Sequence, residues 1–199
     1  MARLNNVSLF GIVAEDPIII MDDATGSYKK GQAFLIVASA NRENGISTNV
    51  FYSKPFLYSE DPDIVAEMSN WKKNDLVSAK GVITTLNANK GTICAHCHEK
   101  SSRPGEVSLI TPIYIETRYT GLEEKEATRI LNEKREISNQ VYLLGSLCDD
   151  VNGRKESTIY KDIISQSSYK GIAAYQIAVD RKYYLKQDVP TNRTDYPHI

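Results

Sequence analysis

An excess of charge of either sign is the first thing this sequence lacks. Its 24 lysines and arginines stand against 25 aspartates and glutamates, so no global field attracts or repels a polyanion and a nucleic-acid site must be a local patch. Long apolar runs are missing as well. No stretch of about 18 apolar residues offers a membrane span, and the opening MARLNNVSLF has no apolar centre of a secretory leader. The expectation is a cytoplasmic protein with no membrane partner. Cysteine is scarce: Cys94, Cys97 and Cys148 form an odd set, which disfavours a disulfide framework. Catalytic signatures are absent too, with no G-x-x-x-x-G-K-[ST] loop, no G-x-S-x-G elbow and no H-E-x-x-H pair. Asp61 and Asp63 read as helix-start residues and Asp149 and Asp150 as a turn, leaving no carboxylate cluster for metal-dependent hydrolysis. The expectation is a protein that is not an enzyme.

What is present is β-pattern and tyrosine. Twelve Tyr against four Phe and one Trp supply flat rings with a polar edge, suited to half-wet surfaces. Val7, Leu9, Gly11 and Val13 alternate with Asn6, Ser8, Phe10 and Ile12, the two-residue period of a strand. AFLIVASAN (33–41) is short and apolar on both faces in its first half, as in a closed sheet, and DDATGSYKKG before it is turn chemistry with a basic pair. STNVFYSKPF (47–56) makes a third strand whose Pro55 must lie at an edge. Ser59, Glu60 and Asp61 then supply capping groups to a short helix carrying Ile64, Val65, Met68 and Trp71, and Trp71 reads as a core residue. NDLVSAKGVITTL resumes alternation, with Gly81 marking a bulge or bend, and residues 106–119 form the last strand. Five strands with one helix between the third and fourth is the order of an oligonucleotide-binding (OB) barrel.

Residues 120–137 change character: Thr120 and Glu123 stand at capping-box spacing, and charged residues surround a thin stripe of Leu122, Ala127, Ile130 and Leu131. This predicts a solvated helical connector. Beyond it the chain starts over, because Val7, Leu9, Gly11, Val13 and Asp16 recur as Val141, Leu143, Gly145, Leu147 and Asp150. A polar loop (149–170) follows; then AAYQIAVDR echoes AFLIVASANR with Tyr175 and Ile177 in the places of Phe34 and Ile36, and RTDYPHI sits where STNVFYS sat. The expected organisation is an OB-fold domain (1–119), a helical connector (120–137) and a partial second OB-fold (138–199) in an all-β protein. Half a barrel leaves an unpaired edge and an uncovered apolar face. Such strands need completion by further chain, by another molecule or by the first unit.

The segments NNVSLFGIVAEDP, FLIVASANR, STNVFYSKPF, the helix and KKNDLVSAKGVITT, in that order, resemble the bacterial single-stranded DNA-binding protein family. The tandem arrangement, CAHC before the last strand and REISNQVYLLGSL resemble its two-OB form in low-GC Gram-positive bacteria and mobile elements. The resemblance covers residues 4–119 well and 138–199 in part. It implies a coat for single-stranded DNA with low sequence preference, in replication, recombination or mobile-element transfer, with homo-oligomers and replication or conjugation proteins as partners. It also implies stacking aromatics on the third strand: one falls on Phe56 and the other on Val50, where Phe51 and Tyr52 are adjacent substitutes.

An OB sheet holds a single strand by stacking bases on rings and by tracking phosphates with cations. Phosphate candidates in the first unit are Lys29, Lys30, Asn41, Arg42, Lys54, Lys72 and Lys73, although a lone lysine is ordinarily a solvated surface charge. In the second, Tyr196 takes the matching aromatic position, Arg193 precedes it, and DRKYYLK groups Arg181, Lys182, Tyr183 and Tyr184. ICAHCHEK satisfies the C-x-x-C-H haem pattern, but such attachment belongs to exported proteins. Cys94 and Cys97 with His96 or His98 are a zinc alternative to a plain loop of reduced thiols, and a closed site needs a fourth ligand nearby. No cofactor is expected apart from that zinc. The rival to DNA binding is an OB adaptor for a protein partner or zinc, because fold alone does not fix function.

Overall fold

The computed structural model describes residues 4–43, 46–93, 100–148, 175–181, 185 and 194–197, and of 40–43, 46–49, 87–93, 100–104 and 106 the backbone alone. The first unit runs β1 (Leu4–Val13), β2 (Ile18–Met21), β3 (Tyr28–Glu43), β4 (Ile46–Ser53), β5 (Phe56–Ser59), α1 (Pro62–Met68), β6 (Leu76–Ile93) and β7 (Lys100–Tyr119). β1 pairs with β3 at one end and with β6 along its length; β3 continues to β5, β5 lies parallel to β7, and β7 returns to β6. That circuit closes a five-stranded OB barrel. Inward residues Val7, Leu9, Leu35, Val37 and Val77 are buried, and Met68 and Trp71 cap the core from the α1 side.

Local chemistry accounts for each boundary. Asp61 caps α1 by accepting a hydrogen bond from the Asp63 N–H at 3.0 Å, and Pro62 occupies the first turn, where its missing N–H costs nothing. Trp71 is 1% exposed and its Nε1 donates to Thr117 Oγ1 at 3.1 Å, so the core role expected for it holds. Gly81 sits at a register shift where a Cβ would come within 2.3 Å of the Thr111 carbonyl oxygen, so only glycine fits. The single third strand expected at 47–56 is two strands, because Lys54 and Pro55 break the ladder between β4 and β5. β2 was not anticipated. It forms a hairpin with β3 around a turn in which Asp22 accepts from the Ala24 and Thr25 N–H groups.

The connector is not the solvated helix expected from its charge. α2 (Glu124–Glu133) begins after a left-handed Gly121, Thr120 lies outside it, and the N-cap Glu123 makes no side-chain capping bond. Ala127, Ile130 and Leu131 are buried against Phe10, Ile12 and Ala38 on the outside of the barrel, with Ile36 and Val50 at the margin. Fully burying a leucine or isoleucine contributes roughly 1.5–3 kcal/mol, so this stripe holds the helix down. It also explains part of why AFLIVASAN is apolar on both faces: one faces the barrel interior, and on the other Ile36 and Ala38 lie under α2.

After α3 (Arg135–Ser138) the chain forms β8 (Asn139–Leu144), which lies antiparallel to the first half of β1. Val7 faces Val141, its own counterpart in the repeat, and Asn5 faces Leu143 as Leu9 faces Asn139. The β1–β8 pairing is therefore symmetric about a local two-fold between the two valines. Where β1 leaves β3 to accept β8, the buried Ser138 hydroxyl fills the fork, donating to the Phe10 carbonyl at 2.5 Å and accepting from the Ala38 N–H at 2.9 Å. Beyond Gly145 follow β9 (Ser146–Leu147), β10 (Ile177–Asp180) and β11 (Thr194–Asp195), with β10 between the other two.

The pairing moves the echo in the second unit by one residue. A Cβ on Gly11 would strike the Ile36 oxygen and Val37 side chain, and one on Gly145 the Ala178 oxygen and Val179 side chain. Leu35 N–H donates to Pro55 O at 3.1 Å, and Ile177 N–H to Pro197 O at 3.2 Å. Ile177 is thus the counterpart of Leu35, and Gln176 that of Phe34. A one-residue slip exchanges the faces of a strand. Tyr175 and Ile177 consequently do not take the places of Phe34 and Ile36, and Tyr196 corresponds to Lys54 rather than to a stacking position.

Candidate nucleic-acid interface

Alternation along β3 sends Ala33, Leu35 and Val37 inward and Lys30, Gln32, Phe34 and Ile36 outward. The register places Phe56 opposite Phe34 and Tyr58 opposite Gln32. The two phenylalanine rings meet at 4.9 Å between centroids, tilted by 39°, and both are half-buried, which leaves part of each ring open to a flat partner. Lys54 Nζ stands 4.8 Å from the Phe34 centroid, a cation over a ring. Lys30 lies 5.9 Å from the Tyr58 ring centroid at the next step along the strand. In the other direction Tyr52, paired with Ala38, faces the same way as Phe34, and its hydroxyl donates to Asn132 Oδ1 on α2 at 2.6 Å. Tyr52, Ile36 and Lys73 line a cleft of about 460 Å³ beside the helix. These side chains make one outward stripe: Lys30 beside Tyr58, whose ring is buried at 9% exposure, then Phe34 and Phe56 with Lys54, then Tyr52 with Lys73.

Carboxylates accompany two of the stripe's three lysines and the neighbouring Lys72. Lys30 pairs with Glu60 at 3.1 Å, Lys54 with Glu15 at 3.3 Å, and Lys72 with Asp16 at 3.6 Å, while Asp16 also accepts from the Lys73 backbone N–H at 2.8 Å. Burial pushes the Glu60 carboxyl up, but hydrogen bonds from Tyr58 and Lys30 outweigh it and hold the group below the usual carboxylate value. Burial also raises the Tyr58 hydroxyl, and the hydrogen bond to Glu60 reinforces the effect. Exposed pairs of this kind are worth about 0–1 kcal/mol each, so a phosphate can displace them.

The architecture is similar to that of single-stranded DNA-binding proteins. The wild-type single-stranded DNA-binding protein from Thermus aquaticus matches all of this chain and 73% of its own at 16% identity, with a TM-score of 0.54. A deletion mutant of the Thermus aquaticus protein matches all of this chain and 75% of its own at 17% identity, again at 0.54. Plasmodium falciparum SSB in complex with ssDNA overlaps 60% of this chain and 98% of its own at 16% identity, with a TM-score of 0.44. No family model and no curated protein matches the sequence. Identities this low establish the fold alone.

Of the residues expected at the site, Lys30, Tyr52, Lys54, Phe56 and Lys73 come together on the stripe. Lys29 does not join them: it follows the opposite parity to Lys30 and sits 3.9 Å from Asp22 in the β2–β3 turn. Phe51 is exposed on the face opposite to Tyr52, and Lys72 is turned to Asp16. Asn41 and Arg42 lie on the distal part of β3, beyond Tyr52 on the β3–β4 hairpin. Arg181 is a correction. It is 5% exposed and ion-paired with the equally buried Asp195, so it serves the fold of the second unit and offers nothing to a phosphate. Tyr196 is 38% exposed, with its backbone N–H bound to Thr85 Oγ1 at 3.0 Å. Lys182, Tyr183, Tyr184, Arg193 and the cysteine-loop residues Cys94, His96, Cys97 and His98 lie outside the described residues.

Phe34 and Tyr58 were missed by the sequence reading. The signal for Phe34 was its outward parity on an otherwise core-like strand, two residues from Ile36, combined with an antiparallel partner bearing a second phenylalanine. Without knowing that Lys54 and Pro55 interrupt the third strand, that cross-strand register cannot be counted.

Proposed function

We propose that this protein is a non-catalytic single-stranded DNA-binding protein with low sequence preference. The observation that carries this reading is the paired Phe34 and Phe56 rings with Lys54 above them on the outer face of β3 and β5, the face that OB-folds use for oligonucleotides. Rings tolerate any base, because every base has a π-face, and cations follow the backbone whatever its sequence. Coating single strands in replication, recombination or mobile-element transfer, as a cytoplasmic homo-oligomer of the tandem OB type, is the finer form of the same proposal.

Fluorescence anisotropy with labelled oligo-dT at two salt concentrations tests it. Binding is expected to weaken with salt, and replacing Phe34 and Phe56 by alanine is expected to cost about 1–3 kcal/mol per ring. The adaptor reading has one observation on its side, the pairing of the stripe's Lys30 with Glu60 and Lys54 with Glu15. No binding even at low salt would put the adaptor in front.

A further inference from the structure

We infer that the cleft beside α2 is a base pocket, in which one base of the bound strand leaves the stripe and is read by its edge; the inference rests on the DNA-binding reading above. The outward positions of β3 run Phe34, Ile36, Ala38, and α2 lies across the last of them. Ala38 is fully buried there, and Val50 of β4 packs at the margin of the same cluster. A strand stacked on Phe34 and Phe56 therefore cannot continue straight along β3 towards the β3–β4 hairpin. It meets the side of the helix, where the cleft of about 460 Å³ opens, a volume within the roughly 300–1,000 Å³ of sites that take small ligands.

Ile12, Val13 and Ile36 give the cleft an apolar lining, and Tyr52 adds a ring that is 50% exposed. The helix supplies a polar wall. Glu124 and Thr128 line the cleft and Asn132 follows them at the same four-residue interval, so the three share one face of α2. Asn132 Oδ1 accepts from the Tyr52 hydroxyl at 2.6 Å and holds that ring to the helix. Lys73 and Asn74 complete the lining from a turn pinned by two bonds, Lys73 N–H to Asp16 Oδ1 at 2.8 Å and Asn74 N–H to the Val13 carbonyl at 2.9 Å. Asn74 is left-handed there at φ 74°, a conformation asparagine adopts more readily than most residues. The cleft thus holds one lysine and one glutamate. A phosphate inside it would lose to Glu124 what it gains from Lys73, whereas an uncharged flat ring can lie on Ile36 and Tyr52 and turn its N–H groups to an acceptor. A carboxylate only accepts. Cytosine offers it an amino group, while thymine offers one imide N–H between two carbonyl oxygens that the carboxylate repels. The cleft therefore selects an amino-bearing base over thymine, beside a stripe whose rings tolerate either.

The test is anisotropy of the full chain at low salt with labelled dC and dT of about 12 nucleotides, within the roughly 4–16 that one OB-fold covers. The two bases are single rings of one size, so their comparison isolates the edge. Wild type is expected to hold dC about fivefold more tightly than dT, the low end of what a base-edge contact discriminates. Glu124→Gln should bring that ratio close to one, because a carboxamide can donate to thymine O4 as well as accept from cytosine N4. The ratio cancels any general gain from removing a negative charge, and Glu124 is exposed, so its loss leaves the fold intact. Asn132 is a positioning residue. Asn132→Ala should weaken both oligonucleotides about threefold, the scale of one hydrogen bond, match Tyr52→Phe, and add nothing when combined with it. If wild type binds both without preference, or Glu124→Gln leaves the ratio unchanged, the base pocket is wrong and DNA binding stands; if wild type binds neither, DNA binding itself fails. An Asn132→Ala loss that persists in full beside Tyr52→Phe would overturn the positioning role.

Discussion

Val7 and Val141 hold the same place in the repeated sequence and face each other across the β1–β8 ladder, yet the first is fully buried and the second is 45% exposed. Their neighbours repeat the contrast, Leu9 being 2% exposed while Leu143 is half-buried. What the two units share is pairing. Gly11 and Gly145 allow the same close approach, and the Leu35 to Pro55 bond recurs as Ile177 to Pro197. What differs is the opposite wall, because Val77, Ala79, Ile115, Met68 and Trp71 close over β1 and the described residues place nothing equivalent over β8. A strand sequence specifies its partners and its close contacts, and burial is conferred by the elements that fold over it.

The second unit is fastened instead by polar groups. Asp195 joins Arg181 in a buried ion pair and accepts from the Thr85 N–H of β6 at 3.0 Å, tying β11 to the first barrel. Asp195→Asn removes the charge that Arg181 faces, and breaking a buried pair costs about 3–5 kcal/mol. The expected result is loss of hydrogen-exchange protection over Ile177–Asp180 with β1 and β3 unaffected. Protection that persists in β10 would show that the clasp is not what orders it.

The contrast between the cores can be broken directly by truncating the equivalent leucines. Leu9→Ala is expected to cost about 2–5 kcal/mol in urea unfolding, as for a buried leucine. Leu143→Ala should cost well under half of that, since its side chain has less to lose. Equal losses would mean that β8 is as firmly packed as β1 in solution.

Much of the first barrel was legible because its signals are local. Alternation in β1 and β6, capping at Asp61, the bulge at Gly81 and the core spacing of Trp71 all depend on residues within a few positions of one another. The α2 interface was not, because charge dominates that helix in the sequence, and only the barrel's outward apolar positions, Phe10, Ile12 and Ile36, reveal where its thin stripe goes. The candidate site was legible in its chemistry and not in its register. Phe56 was found by position, whereas Phe34 and Tyr58 appear only once β5 is set against β3. The one-residue shift in the second unit has the same origin, since AAYQIAVDR can be laid on AFLIVASANR in two ways and only the Gly145–Val179 contact decides between them. That decision matters for function, because it puts Gln176 where the first unit has the Phe34 ring, with its side-chain amide donating to the Tyr196 carbonyl at 3.0 Å.

The smallest expected effect sharpens the comparison on the side of the first unit, where ring and cation are both present but the cation is engaged. The Glu60 carboxyl is held below its ordinary value of 4.5, burial opposing the shift and Tyr58 and Lys30 together overcoming it. A carboxyl so lowered stabilises the fold fully above its unfolded value, and the contribution disappears as pH falls through the folded one. Throughout the neutral range Glu60 is therefore charged and competes with phosphate for Lys30. Glu60→Gln should tighten oligo-dT binding by about two- to fivefold, the scale of an exposed pair. The advantage of the variant over wild type should narrow as the pH is taken below 4.5, where wild-type Glu60 gains its proton and loses its hold on Lys30. If the variant binds no more tightly than wild type at pH 7, the carboxylates of the stripe do not compete with the strand, and the lysines beside them are surface charges that never meet a phosphate.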